Sequence, residues 1–325
     1  MAGLNVIIVT DEAGSNQSNT SIPEPLESIH PGISSLLNKI GLSGAEFAAS
    51  RALYSGVYSA GNYSPLGEDS SGIWKGMHIN RHVFNDQLVQ QTRNQGVGFM
   101  FNEKVEDFIL EKAGSMQQQT GNKIIGIKTS STELFAKYII DASGKKGIAG
   151  KKLNFKRRFF SPPLACWTGV SEYDETFPFD PNASHFIPGK NGWTWLAPQP
   201  PSYCTWTRLS VVNEKSLLPP DELKDYPIVG KIHFANMRWR LFRPVCSEGI
   251  ILCGDAAGIL DPAAGQGIFN ALLSGITAAN TIIKCIQEPG LASFHLALYD
   301  DWFAGQFEAK VKRLKQYYKD HVINI

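Results

Sequence analysis

The pattern of apolar and polar positions opens with a continuous apolar run, Val6-Ile7-Ile8-Val9, that stops at Thr10, Asp11 and Glu12. Such a run predicts a strand from Leu4 to Thr10 that is buried on both faces of a parallel sheet. The polar stretch from Gly14 to Thr20, with Pro23 and Pro25 after it, predicts loop. Beyond Pro31, residues Ile33, Leu36, Leu37 and Ile40 have helical spacing and end at Gly41. Val83, Phe84, Leu88 and Val89 mark a second helical face between Arg81 and Gln95, stopped by Gly96. Short strands are expected at Val105 to Leu110, Ile124 to Lys128 and Ala136 to Ile140, with the glutamine tract near Gln117 as a hairpin loop.

The pattern changes between Pro162 and Val245. This stretch holds five of the seven tryptophans and most of the prolines, without a helical period. It predicts short strands and irregular loops, a mixed domain inserted between two halves of a nucleotide-type domain. An α/β pattern returns with a strand from Ile250 to Cys253, a glycine-rich turn and a helix from Gly267 to Ile286. The tail from Ser293 to Tyr318 reads as helix, and no internal repeat is present.

Composition narrows the class. With 325 residues, 43% hydrophobic and 19% charged, the chain can bury one large core or two coupled ones, which excludes disorder and small disulfide scaffolds. Thirty-one basic against thirty acidic residues leave a net charge of +1, so no global field draws it to nucleic acid or to an anionic membrane. Five scattered cysteines without a C-x-x-C pair predict free thiols in a reducing compartment and no zinc site. The N-terminal residues lack a signal-peptide pattern and no run reaches eighteen apolar residues, so the expectation is a cytoplasmic protein without a membrane span.

Residues 249 to 280, GIILCGDAAGILDPAAGQGIFNALLSGITAAN, carry the strongest chemistry. A buried strand delivers Gly254 and Asp255, and a loop with Pro262, Gly265 and Gly267 opens a helix lined with Ala271, Ser274, Gly275, Ala278 and Ala279. An aspartate at a strand end can accept hydrogen bonds from sugar-like hydroxyls, and glycines let a ligand approach the backbone. The helix start offers unpaired N–H groups and a partial positive charge, suited to an anion or an electron-rich ring oxygen.

This block resembles the flavin-contacting Gly-Asp motif of the FAD-dependent oxidoreductases that include aromatic hydroxylases, geranylgeranyl reductases and tryptophan halogenases. The resemblance implies that Asp255, after Gly254, binds the ribityl chain of FAD. It also implies that Pro262, Gly265, Gln266, Gly267 and Ile268 face the pyrimidine edge of the isoalloxazine. Residues 138 to 144, YIIDASG, resemble the strand and turn near the FAD diphosphate in the same superfamily, which would place Ala142, Ser143 and Gly144 there. Residues 81 to 88, RHVFNDQL, resemble the family's Arg-x-x-Phe-Asp-x-x-Leu helix, with Asn85 where Asp is usual. Arg81 would then serve FAD phosphate or ribityl oxygens as a forked donor, and Val105 joins the cofactor-binding set by the same resemblance.

Residues 192 to 198, GWTWLAP, resemble the Trp-x-Trp-x-Ile-Pro motif of flavin-dependent halogenases. They are also similar to the Gly-Trp-x-Trp-x-x-Pro of flavoproteins that oxidise protein tryptophan during quinone-cofactor maturation. Trp193 and Trp195, two apart in a strand, share a face and are expected, with Pro198, to wall a substrate pocket. Halogenases use a lysine in a stretch resembling residues 52 to 61, ALYSGVYSAG, where this chain has none and Ser55 or a neighbour stands instead. Hydroxylation is therefore favoured over halogenation. Seven positive charges fall between Lys145 and Arg158, a solvated face or a dock for an acidic protein partner. His30, His78, His185 and His233 have neither metal spacing nor a nucleophile partner and read as structural.

A Rossmann-type FAD domain should open with a strand, G-x-G-x-x-G and a helix, and this spacing is absent. GLNVIIVTDEA resembles the second strand of the family, whose end carries a glutamate for the adenosine ribose. Thr10 stands at that place, and Asp11 is the nearest substitute. The comparison implies an α/β (α+β) chain lacking roughly 30 upstream residues, the length of one βα half-unit, with weak or no FAD binding as written. The expected division is FAD-binding residues 1–50, 80–160 and 246–290, substrate residues 51–79 and 161–245, and a C-terminal helical segment 291–325.

The function implied is that of an FAD-dependent monooxygenase acting on a small-molecule or peptidyl aromatic substrate. It would be reduced by NAD(P)H or a reductase partner and use O2 through a flavin C4a-hydroperoxide. A geranylgeranyl-reductase-like activity and a non-catalytic homologue that binds a partner protein are the alternatives. No general acid or base is assigned.

Overall fold

Two parallel strand pairs frame the α/β part of the computed structural model, which describes residues 3–13, 23–70, 72–111, 123–211 and 219–325. Strand Ile7–Val9 pairs in parallel with Gly98–Met100, and Ile139–Asp141 pairs in parallel with Ile250–Leu252. Among the described residues the two pairs belong to separate sheets. Lys146 Nζ lies 2.5 Å from Asp11 Oδ2 and ties together the chain segments that follow the first strand of each pair. Val6, Ile7 and Ile8 are exposed, against the expectation of a strand buried on both faces, because among the described residues this strand is paired along one edge only. The polar stretch from Gly14 to Thr20 and the glutamine-rich loop lie outside the described residues, but the strands flanking that loop, Val105–Leu110 and Ile124–Thr129, pair antiparallel.

The region expected to hold short strands and loops instead builds a seven-stranded sheet. Its order is Ile228–Asn236, Leu164–Glu172, Tyr203–Val211, Gly192–Gln199, Ser184–Gly189, Gly56–Ser59 and Asn62–Pro65. Neighbours are antiparallel except Ser184–Gly189 with Gly56–Ser59. Both faces of this sheet bury side chains. Cys166, Trp193 and Leu209 join the main core, whereas Leu196, Cys204 and Trp206 join a second cluster with Tyr173 and Leu223. Gly169 sits opposite Trp206, whose indole occupies the space that a Cβ at 169 would need, at 2.4 Å.

Three helices position the candidate site. Helix Arg81–Asn94 is capped by Asn80, whose side chain accepts from the Val83 N–H at 3.1 Å, a contact of about 1 kcal/mol. Helix Gly267–Gln287 is long and apolar enough to cross a membrane by length and composition, although Asn270, Ser274, Thr277 and Asn280 keep its apolar runs well short of eighteen residues. Its Ala278, Ile282 and Cys285 enter the main core beside strand Ile250–Leu252. Helix Ala292–Asp320 then returns across that core and buries Tyr299, Phe307, Val311, Leu314 and Tyr318. Each such fully buried apolar side chain contributes about 1.5–3 kcal/mol relative to exposure. All five cysteines are buried and unpaired.

Candidate functional site

The block from Ile250 to Gln287 folds as a strand, two 3-10 turns and a long helix. Strand Ile250–Leu252 is wholly buried and delivers the turn Gly254–Ala256, with Gly254 at φ +54°. The Gly254 N–H donates to Ser274 Oγ at 2.9 Å, which pins the turn to the long helix. Turn Pro262–Ala264 follows, and Gly265 at φ +58° reverses the chain into helix Gly267–Gln287. No side chain caps that helix, so its first N–H groups stay available. A Cβ at Gly265 or Gly267 would meet nothing within 4 Å, so both backbones face open space.

Asp255 stands beside this opening. Its carboxylate makes no hydrogen bond or ion pair with any described residue. Its pKa is raised, chiefly because surrounding protein strips water from it, with Glu27 adding to the rise. Arg240, Arg81 and Lys145 pull it back down, so the recess presents one free carboxylate among three cations. These cations are themselves held: Arg240 donates to the Lys145 carbonyl at 2.8 Å, and Arg81 pairs with Glu27 at 2.9 Å and donates to Asn85 Oδ1 at 2.9 Å.

The neighbouring turn after Ile139–Asp141 is closed by Asp141 itself. Its two oxygens accept from Ser143 N at 2.9 Å and Ala149 N at 2.7 Å, and Ser143 Oγ accepts from Ile148 N at 3.0 Å. Ala142, Ser143 and Gly144 lie in this turn, where a Cβ at Gly144 would also meet open space. Asp11 is exposed and its pKa is lowered by the hydrogen bond from Lys146. Val105 stands apart, opening a strand of the separate antiparallel sheet opposite Thr129.

Trp193 and Trp195 share one face of strand Gly192–Gln199 but differ in surroundings. Trp193 is 2% exposed, packs against Phe186 and donates its indole N–H to the Tyr318 hydroxyl at 2.9 Å. Trp195 is half-buried and donates to Ser28 Oγ at 3.2 Å. Pro198 is buried opposite Cys204.

Sequence reasoning missed two participants. Arg240 arrives from strand Arg240–Arg243, fifteen positions before Asp255, with no local signal. Asp261, immediately before Pro262, is buried and accepts from Trp239 Nε1 at 3.3 Å and Ala263 N at 2.8 Å. His78, read as structural, is buried between Ser28 Oγ at 2.9 Å and Ser184 Oγ at 3.2 Å. Among the described residues no group of His, Cys, Asp or Glu could hold a metal ion.

No family model matches the chain. It is 23% identical to a 1H-pyrrole-2-carbonyl-[peptidyl-carrier protein] chlorinase of Pseudomonas fluorescens, over 91% of this chain and 76% of that protein. It is 27% identical to a digeranylgeranylglycerophospholipid reductase of Methanosphaerula palustris, over 80% of this chain and 66% of that protein, just under two thirds of its length. The fold matches that of the flavin-dependent brominase Bmp2 with a TM-score of 0.77 and 19% identity, covering 99% of this chain and 83% of the brominase. It also matches the peptidyl tryptophan dihydroxylase QhpG with a TM-score of 0.68 and 18% identity, covering 98% of this chain and 70% of QhpG. Relatives in sequence and neighbours in fold alike are flavin-dependent halogenases, a peptidyl tryptophan dihydroxylase and digeranylgeranylglycerophospholipid reductases, the superfamily whose motifs this sequence resembles.

Proposed function

We propose that the chain is an FAD-dependent monooxygenase acting on an electron-rich aromatic substrate, free or held on a peptide or carrier protein. The observation that carries this reading is the unpartnered Asp255 beside the open backbone of Gly265 and Gly267. Asp255 is exposed to this opening and its surroundings disfavour its charge, and ribityl hydroxyls would supply donors that no described residue provides. The residues present fit this end of FAD. Asp255 would hold the ribityl chain, and the N–H groups from Gly265 to Ile268 would meet the pyrimidine edge. Arg81 and the Ala142–Gly144 turn would lie toward the phosphates, and Asp11 toward the adenosine ribose. When bound, the flavin supplies redox exchange and O2 activation, with NAD(P)H or a reductase as electron donor. The protein's part is to bind, orient and exclude water.

Oxygen transfer is preferred to halogenation because the stretch from 52 to 61 offers no ammonium. Tyr54 is stacked on His78 and Ser55 is bonded to the Tyr63 hydroxyl at 3.0 Å. The second reading, reduction of isoprenoid double bonds, is favoured by the likeness to the digeranylgeranylglycerophospholipid reductase. Turnover of a prenyl substrate without O2 consumption would select it. Buried unpaired thiols support a reducing, cytoplasmic location. An acidic protein partner at 145–158 is supported by a groove of about 490 Å³ lined by Lys312, Lys315 and Lys319 beside Arg158, which pairs there with Glu308 at 3.1 Å. Salt-sensitive association weakened by Lys312→Glu is its check.

Equilibrium dialysis with FAD tests the main reading. The expected result is weak but measurable binding by the wild-type chain, which lacks the G-x-G-x-x-G unit, and a further loss of about tenfold or more in Asp255→Ala, as for removal of a charged hydrogen-bond acceptor. Equal affinity in the two proteins would overturn the assignment of Asp255.

A further inference from the structure

Asp261 is 3% exposed and lies between the strand that delivers the Gly254–Asp255 turn and the loop that presents Gly265 and Gly267. Four elements converge on its carboxyl group. Trp239 donates its indole N–H at 3.3 Å, and Ala263 donates its backbone N–H at 2.8 Å from the loop itself. The Tyr318 hydroxyl faces it from the C-terminal helix and itself accepts from the Trp193 indole of the seven-stranded sheet at 2.9 Å. The titratable groups facing it are Tyr318 and, from strand Leu164–Glu172, Cys166.

We propose that Asp261 is a positioning residue that locks the Pro262–Gly267 loop to the C-terminal helix and the sheet, holding the open glycines where they would meet the flavin. This rests on the flavin reading for its purpose, but the lock itself stands on the hydrogen bonds. Their direction is fixed by chemistry. Indole and backbone N–H groups only donate, so Trp193 donates to the Tyr318 oxygen, and the Tyr318 proton is left to point at Asp261. An ionised carboxylate accepts from every neighbour at once.

Adding a proton breaks this agreement. A carboxylic acid must donate, and neither Trp239 N–H nor Ala263 N–H can accept. The one oxygen available is that of Tyr318, whose hydroxyl must then turn away from Asp261. Burial pushes the Asp261 pKa up to about 6, so this conflict falls within an accessible pH range. Asp261→Asn reproduces the protonated state, with one acceptor and an amide donor facing donors, at nearly unchanged volume.

Hydrogen exchange of the amides from 262 to 270 tests the lock, comparing wild type with Asp261→Asn at about pH 7.5 and again at about pH 5. The expected result is exchange that differs at least about tenfold between the two proteins at the higher pH, where wild type is ionised, and is near-equal at the lower, where both present a neutral side chain. Equal exchange at both values, or the same difference at both, overturns the proposal, because a merely structural residue would not lose its effect on acidification. Tyr318→Phe provides a second variant: removing a donor that lowers the Asp261 pKa should move the wild-type transition to higher pH. FAD affinity, measured by dialysis on the same proteins, separates the two readings. A lock seen by exchange without flavin binding by the wild type sinks the flavin reading alone, whereas flavin binding without the pH-dependent exchange difference sinks the lock alone.

Discussion

Tyr54 lies flat on His78, with ring centroids 4.5 Å apart and planes within 8°. The stack buries the imidazole, and a serine hydroxyl meets each ring nitrogen. Ser28 Oγ, which accepts from Trp195, lies 2.9 Å from His78 Nδ1, and Ser184 Oγ lies 3.2 Å from Nε2, so either neutral tautomer finds a donor and an acceptor. A hydroxyl on each nitrogen satisfies neutral imidazole and leaves no counter-ion for the charged form. Burial accordingly holds the His78 pKa down at about 3. The unfolded chain binds this proton near the ordinary 6.5, so stability is complete above 6.5 and falls as pH drops toward 3. The slope should approach about 1.4 kcal/mol per pH unit within that window. Urea melts of wild type and His78→Gln between about pH 7 and 4 provide the check, and an unchanged slope in the variant would refute the assignment.

Asp261 has the opposite sign. Its native pKa of about 6 lies above the ordinary 3.8, so between these values the native state holds the proton that the unfolded state has released. Its contribution to stability is complete below 3.8 and is lost as pH rises through 6. The two buried groups therefore oppose one another across acid pH, and wild type should show a shallow profile. Asp261→Asn should steepen the acid-side loss, whereas His78→Gln should expose a gain on acidification. Parallel profiles for the two variants would contradict this pairing.

Much of the α/β frame was legible because its pattern is local. Strand Val105–Leu110 and helix Gly267–Gln287 fall where apolar period and glycines place them, within a residue or so. The seven-stranded sheet was not legible, since a sheet buried on both faces loses the alternation that marks a strand. Leu164–Glu172 is buried at most positions, with Cys166 on one core and partly buried Trp167 on the other. At the site, Asp255 and the glycines were visible as a strand-turn-helix motif, but Arg240 reaches Asp255 through tertiary packing alone. Trp193 and Trp195 were correctly read as sharing a face, yet only the partner across it, Tyr318, shows that Trp193 is sealed.

Asp255 should behave unlike a structural carboxylate. Because no described residue bonds to it, Asp255→Ala orphans no donor and removes a desolvated charge. Thermal stability without flavin is expected to be unchanged or higher, while flavin affinity falls, the trade-off that marks a ligand-binding group. A drop in Tm comparable to that of a buried-pair mutant would argue that the carboxylate serves the fold.

Gly267 offers the complementary test. It begins a helix, carries no positive φ, and a Cβ there meets nothing within 4 Å. Gly267→Ala should therefore fold normally and gain up to about 1 kcal/mol from helix propensity. The added methyl enters the space the ligand would occupy, so FAD affinity should fall even as the melt improves. Gly265 differs, because at φ +58° alanine is strained whatever the space, and its variant should lose both stability and binding.

The Trp193–Tyr318 contact allows a direct measurement of what the polar link to the C-terminal helix contributes. Both rings are buried, and the 2.9 Å bond from indole to phenol feeds the bond from phenol to Asp261. Tyr318→Phe leaves the Trp193 N–H without its acceptor and Asp261 with one donor fewer, a loss of about 1–3 kcal/mol. Trp193→Phe removes the donor and part of a core side chain, so its cost includes a cavity. Once the indole is gone, deleting the phenol oxygen orphans one group fewer, so the double variant should be more stable than the sum of the single losses predicts. A double-mutant cycle from denaturant melts should yield a coupling of about 0.5–3 kcal/mol. Strict additivity would mean that the helix is held by packing alone and that the hydrogen-bonded chain contributes nothing to its docking.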